Sequence, residues 1–196
     1  MRNAIGAYDA MSLIMYTPRA DSNDRGYEQW LIDVDNPFFN NSEVCVRYTN
    51  WKVVDDAGVN FGFSHFDFFG MDDRDSGDKV WSDEKLSEFR VEWRKLWGAA
   101  ESLDPTANSI VNLCERIDTP QAEAKYVIVV PADDASAAGP EGCETWSTYN
   151  GYRGDIVLPA FYLKYTDDPA DFGAFGQAQA GGGPAALLAE LIAGPD

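Results

Sequence analysis

Three acidic residues carry the spacing of a cation-binding loop. Asp73, Asp75 and Glu84 stand at the first, third and twelfth positions of a stretch that partly follows the EF-hand pattern, where carboxylates supply the oxygen ligands of a hard divalent ion. The match departs at the fifth and sixth positions, where Gly77 and Asp78 replace a ligand and the turn glycine. A solvated acidic loop is therefore the favoured explanation of the segment. Calcium or another divalent cation is the one cofactor the spacing suggests, and no other is expected.

His65 is the only histidine. Any Ser, His and Asp triad or Cys and His pair would have to use it, with Ser64, Cys45 and Cys114 as formal partners. No GxSxG elbow accompanies it, and Phe63, Phe66 and Phe68 around it favour a structural residue at a bulge. The aspartate groups Asp55 and Asp56, Asp133 and Asp134, and Asp167, Asp168 and Asp171 lie at turns. Paired carboxylates perform glycoside hydrolysis, but only at a set separation across a cleft, and clustered acids in so acidic a chain read as turn formers. Arg153, Gly154 and Asp155 spell an integrin-binding tripeptide that a turn explains as well, and Asn40, Asn41 and Ser42 match a glycosylation acceptor. Walker and dinucleotide-binding fingerprints are absent. No catalytic residue is assigned, and the chain reads as a non-enzyme.

The elements that must position these residues are mostly strands. Val44 to Phe69 reads as a hairpin: Val44, Val46 and Tyr48 alternate with polar residues, a turn follows at Asp55 to Gly58, and Val59, Phe61 and Phe63 resume the alternation. At His65 the apolar phase slips by one residue, as a bulge would cause. Further strands are predicted over Met11 to Thr17, over Tyr27 to Asp35 with Trp30, Ile32 and Val34 on one face, and over Ile110 to Ile117, Tyr126 to Val130, Thr145 to Tyr149 and Asp155 to Tyr165. One amphipathic helix starts after Ser82 and aligns Leu86, Phe89, Trp93, Leu96 and Trp97. Residues Gly173 to Gly183 read as a flexible linker, and the segment after Pro184 as a short helix with an apolar stripe of Leu187, Leu188, Leu191 and Ile192. The expected fold is mainly β: an antiparallel β-sandwich of jelly-roll type over residues 1–171 with one inserted helix, then a C-terminal arm over 172–196 that docks either on its own domain or on a neighbouring subunit.

Thirty-three acidic residues, 22 of them Asp, oppose 15 basic ones, only six of which are Lys, for a net charge of -18. Such a surface repels nucleic acid and anionic membranes, and its self-repulsion is relieved where molar salt shortens the Debye length to about 3 Å, which fits a halophilic source. The three cysteines, Cys45, Cys114 and Cys143, make no CxxC pair, and Cys45 and Cys114 read as small buried hydrophobes. Neither a signal peptide nor the run of about 18 apolar residues of a membrane helix is seen. These features imply a structural subunit of a larger assembly, with a virion capsid protein of a virus infecting a halophilic host as the first choice. It would be made in the cytoplasm and partnered by copies of itself and other assembly proteins, through the arm at Leu187, Leu188, Leu191 and Ile192. Two alternatives stand beside it: a carbohydrate- or cell-surface-binding module using Trp51, Trp81, Trp146, Tyr149 and Tyr152, and a hydrolase built on a carboxylate pair.

Overall fold

Eight antiparallel strands form a closed ring in this computed structural model, which describes residues 8–56, 59, 61–99, 109–135, 139–173 and 186–195. β1 (Ala10–Tyr16) is followed by a helical segment made of α1 (Tyr27–Trp30), a π-helical turn (Leu31–Asp35) and α2 (Asn36–Asn40). β2 (Arg47–Asp55) and β3 (His65–Met71) come next, then a 3-10 turn (Arg74–Ser76), α3 (Gly77–Ser82), α4 (Glu84–Trp97) and β4 (Ser109–Arg116). The second half holds β5 (Tyr126–Ala132), β6 (Glu144–Arg153), β7 (Ala160–Thr166) and β8 (Leu187–Ala193).

The ring order β1-β3-β2-β8-β5-β7-β6-β4 resolves into two equal parts. β4-β1-β3-β2 is the sheet of a ferredoxin-like βαββαβ unit, and β8-β5-β7-β6 repeats the same order four strands later. The repeats meet along β2 with β8 and along β4 with β6. Each repeat thus supplies the neighbour that the other's edge strand lacks, and no backbone edge remains.

Alternation along each strand sends one face inward. Met11, Leu13, Met15, Trp51, Phe66, Phe68, Trp146, Phe161, Leu163 and Leu187 fill the interior, as side chains can in a barrel of eight strands. The other face of β1, β3 and β4 carries Ala10, Phe69, Met71, Val111 and Leu113 outward under Phe39, Val80, Trp81 and Leu86 of the helices. A layer of helices therefore covers the first sheet, and the candidate site lies in that layer.

The sandwich expectation is corrected by this closure. Strands with one buried face read alike in sandwiches and barrels, and the strand that closes the ring was the one misread. Leu187, Leu188 and Leu191 are not an arm: they belong to β8, paired with β2 and β5 and buried or half-buried. Ile192, also in β8, packs beside Tyr16, Tyr27 and Trp97. Leu and Ala favour helix in isolation, but the slot between two strands with free edges overrides that preference. The linker expected before it, residues 174–183, lies outside the described residues. The Tyr27 to Asp35 strand is corrected as well. Tyr27, Leu31, Asp35 and Phe39 are the buried positions, recurring every four residues as a helix requires, whereas Ile32 and Val34 face solvent.

Asp83, rather than Ser82, caps α4: its side chain accepts a hydrogen bond from the Leu86 amide at 2.9 Å. In the hairpin, β2 and β3 pair as expected, but 61–63 are not strand. Gly154, in the integrin-like tripeptide, has φ 76° and makes the turn that ends β6.

Candidate functional site

β3 places Asp67 on the outward face of the first sheet, between Phe66 and Phe68 that point into the barrel. Its carboxylate is 4% exposed and accepts three hydrogen bonds: from Tyr16 Oη on β1 (3.1 Å), Tyr48 Oη on β2 (2.8 Å) and Asn50 Nδ2 on β2 (2.9 Å). The second hydrogen of the Asn50 amide goes to Oδ2 of Asp35, also at 2.9 Å. Asp35 ends the π-helical turn, and a π turn in place of an α turn re-aims side chains, a feature frequent at functional sites. Asn36 fixes the Asn50 side chain by donating to its Oδ1 at 3.0 Å, and Asn40 Oδ1 accepts from the Tyr48 amide at 2.9 Å, pinning α2 to β2.

Two buried carboxylates therefore share one amide donor. Burial raises the Asp67 pKa well above the ordinary aspartate value, the charge of Asp35 adds to the rise, and the three hydrogen bonds oppose it. Burial pushes Asp35 up to about 7 against the hydrogen bond from Asn50. Both carboxyls are thus pushed toward their protonated forms, and the charge of one opposes ionisation of the other. Burial, with the aspartate charges, also keeps the hydroxyls of Tyr16 and Tyr48 protonated as donors.

The pair opens on a pocket between the first sheet and helices α2 to α4. Its cavity volume is about 70 Å³, and it opens to solvent on one side. Ile14, Phe39, Phe69, Trp81, Phe89 and Trp93 make apolar walls, Tyr16, Asp35, Tyr48 and Asp67 a polar floor, and Arg90, Arg94 and Arg153 complete the lining.

His65 lies two residues from Asp67 on the same face but does not line the pocket. It is buried, its Nδ1 is 2.9 Å from Ser64 Oγ, its ring stacks on Tyr16 at 5.6 Å, and its Nε2 has no hydrogen-bond partner. Burial, aided by Lys52, lowers its pKa to about 4, so it is neutral at pH 7. Cys45 packs under the helices and Cys114 inside the barrel, and the three cysteines are buried and in no disulfide among the described residues. Burial pushes the Cys114 thiol up to about 12, which makes it a poor nucleophile.

The structure does not bring Asp73, Asp75 and Glu84 together as ligands. Asp73 accepts a hydrogen bond from Ser76 Oγ at 2.8 Å, Asp75 and Glu84 are exposed, and among the described residues no group of three or more His, Cys, Asp or Glu side chains is placed to hold a metal ion. Asp168 and Asp171 are turn formers, accepting from the Ala170 amide and from Thr166 Oγ1. The five aromatic residues expected to form a sugar platform are dispersed: Trp51 and Trp146 fill the barrel, Trp81 lines the pocket with Tyr152 stacked on it at 5.2 Å, and Tyr149 donates to the Arg74 carbonyl. No helix among the described residues is long and apolar enough to cross a membrane.

Asp35, Asp67, Arg90 and Arg94 were not legible as site residues. An acid inside the aromatic run Phe66 to Phe69 was the available signal, because a strand buried on both faces has no solvent side for its charge.

The fold defines a tandem-repeat barrel of ferredoxin-like units with a small-molecule pocket under one helical layer. No family model matches the chain, and no curated protein matches it in sequence. The crystal structure of a putative monooxygenase from Lactobacillus acidophilus NCFM is similar in fold, with a TM-score of 0.52 over 95% of each chain at 13% sequence identity. At that identity the likeness establishes shared architecture. The capsid and non-enzyme expectations, drawn from a sandwich, an arm and absent catalytic motifs, are corrected at their structural premises. The barrel is closed, the arm is β8, and the similar fold belongs to a protein described as an enzyme.

Proposed function

We propose that the chain is an enzyme that removes a proton from an apolar, enolisable or phenolic small molecule held between the first sheet and α4, with oxygenation as the overall reaction. One observation carries the reading: two buried carboxylates, bridged by Asn50 and both shifted upward in pKa, open on a pocket with mainly aromatic walls. A base whose pKa lies near the working pH transfers protons efficiently, and a dry pocket keeps it from being levelled by water. Asp35 is the base and Asp67 the proton-holding partner. Tyr16 and Tyr48 donate their hydroxyl hydrogens to Asp67 and hold it in place beside the base.

Oxygenation comes from the description of the structural neighbour, and the proton step is compatible with it. An enolate or phenolate is the electron-rich form that dioxygen oxidises. When a CH2 becomes C=O, one oxygen atom enters the substrate, the other leaves as water, and the substrate supplies all the electrons.

The test separates the two steps. Deuterium exchange at the α-carbon of 2-tetralone, followed by proton NMR without oxygen, is expected to be catalysed by the wild type and to slow about 100-fold or more in Asp35→Asn. Oxygen uptake with the same ketone then reads the second step. Exchange no faster than in buffer, or equal in the variant, would remove the proposal.

A further inference from the structure

Arg90 and Arg94 lie one turn apart on α4 and face the pocket. The Nη2 of Arg90 donates to Ser87 Oγ (2.6 Å) and to the Trp81 carbonyl (3.3 Å), and its guanidinium lies over the Trp81 ring at 4.6 Å. Those contacts orient the group but leave Nη1 buried with no hydrogen-bond partner, and Arg94 leaves its Nε buried in the same way. Arg153 of β6 lies over the same Trp81 ring at 5.4 Å. Among the described residues neither Arg90 nor Arg94 forms an ion pair, although the chain has 33 acids for 15 bases. Burial, with the charges of Arg153 and Arg94, depresses the Arg90 pKa to about 10, the mark of positive charge gathered without enough counter-charge. The aspartates of the floor make no ion pair with it and bond instead to Asn50 and the tyrosines.

We propose that Arg90 and Arg94 bind the carboxylate of the pocket's ligand, which makes the substrate class a flat aromatic acid. The inference rests on the pocket being the substrate site proposed above. A carboxylate is planar and accepts two guanidinium hydrogens side by side, satisfying buried donors that water reaches poorly. The rings of Phe39, Phe69, Trp81, Phe89 and Trp93 suit an aromatic body. A single charge is favoured over a phosphate dianion because the field of a protein of net charge -18 repels each negative charge that approaches. The guanidiniums offset that repulsion locally, and at about 0.15 M salt the distant surface acids are screened beyond about 8 Å.

The experiment compares 2-naphthoate with its neutral isostere 2-naphthamide, titrated calorimetrically into the full chain at pH 8 and constant ionic strength. The wild type is expected to bind the naphthoate at least about tenfold more tightly. Arg90→Gln and Arg94→Gln should each abolish most of that preference while changing naphthamide affinity less than about twofold, whereas a purely structural role would weaken both ligands together. Equal binding of the two probes, binding of neither, or a preference unchanged in the variants overturns the inference. If Arg90→Gln fails to fold by circular dichroism, Arg94→Gln decides. A carboxylate preference lost in the variants, in a protein that exchanges no ketone proton, keeps this inference and removes the proton-abstraction reading. The reverse pattern keeps the base and removes the arginine clamp.

Discussion

Asn50 and Asp67 are register partners across β2 and β3, and the Asn50 amide divides its two hydrogens between Asp67 and Asp35. This relationship joins the sheet to the π-helical turn through one side chain. It also fixes two carboxyl groups close enough that both cannot ionise cheaply, so that proton binding and local packing are coupled.

The coupling is measurable as stability. A carboxyl whose folded pKa is raised stabilises the fold fully below its unfolded value, near pH 4, and that contribution is lost as pH rises through the folded value, about 7 for Asp35. Asp35→Asn lacks the loss. Urea unfolding at pH 5 and pH 8 in the same salt should show the variant gaining on the wild type by a few kcal/mol as pH rises. Parallel behaviour at the two pH values would mean that Asp35 is not held protonated.

His65 carries the opposite sign. Its folded pKa is lowered to about 4, so its contribution is present above about pH 6.5 and disappears as pH falls toward 4. His65→Phe removes both the titration and the unpartnered Nε2 at the loss of the Ser64 contact. Thermal melts at pH 7 and pH 4.5 should show the variant close to the wild type at the first and more stable at the second. A variant that loses as much as the wild type on acidification would disprove the assignment.

β8 closes the ring, which makes its leucines structural. Leu187 is fully buried, and Leu187→Ala should cost about 2 to 5 kcal/mol in urea unfolding. Ile32→Ala, at a site 44% exposed, should stay within about 0.5 kcal/mol. Equal, small effects at both positions would restore the detached arm.

The strands of the first half were legible because each shows its inward face to the sequence. β1 runs from Ala10 where Met11 was expected, and β4 and β5 begin within a residue of their expected starts. Two segments were ambiguous for a physical reason. Tyr27 to Asp35 contains a period of two in Trp30, Ile32 and Val34 and a period of four in Tyr27, Leu31 and Asp35, and only the sheet that receives the second set decides between them. Leu187 to Ala193 is apolar except at Glu190, and such a run shows no clear period of two.

The site was less legible than the fold. Asp35 and Asp67 are 32 positions apart in the chain and meet only through Asn50, a residue with no chemistry of its own. Arg90 and Arg94 carry the visible helical spacing, but their significance is the absence of a carboxylate partner, which no spacing encodes. In so acidic a chain the aspartates that matter are hidden among twenty that do not.

A barrel assembled from two copies of one chain would repeat every side chain, and any site would occur twice. Here both repeats lie on one polypeptide, and they differ. The pocket sits on the β4-β1-β3-β2 sheet, while the second sheet buries Ile128, Val130, Tyr162 and Leu188 on its outer face. Fusion thus releases the two sheets from identity: one is free to carry a strained acid pair, the other to serve as its rigid abutment. The proposed site is thereby set once per chain, where a ring of two identical halves would carry it twice.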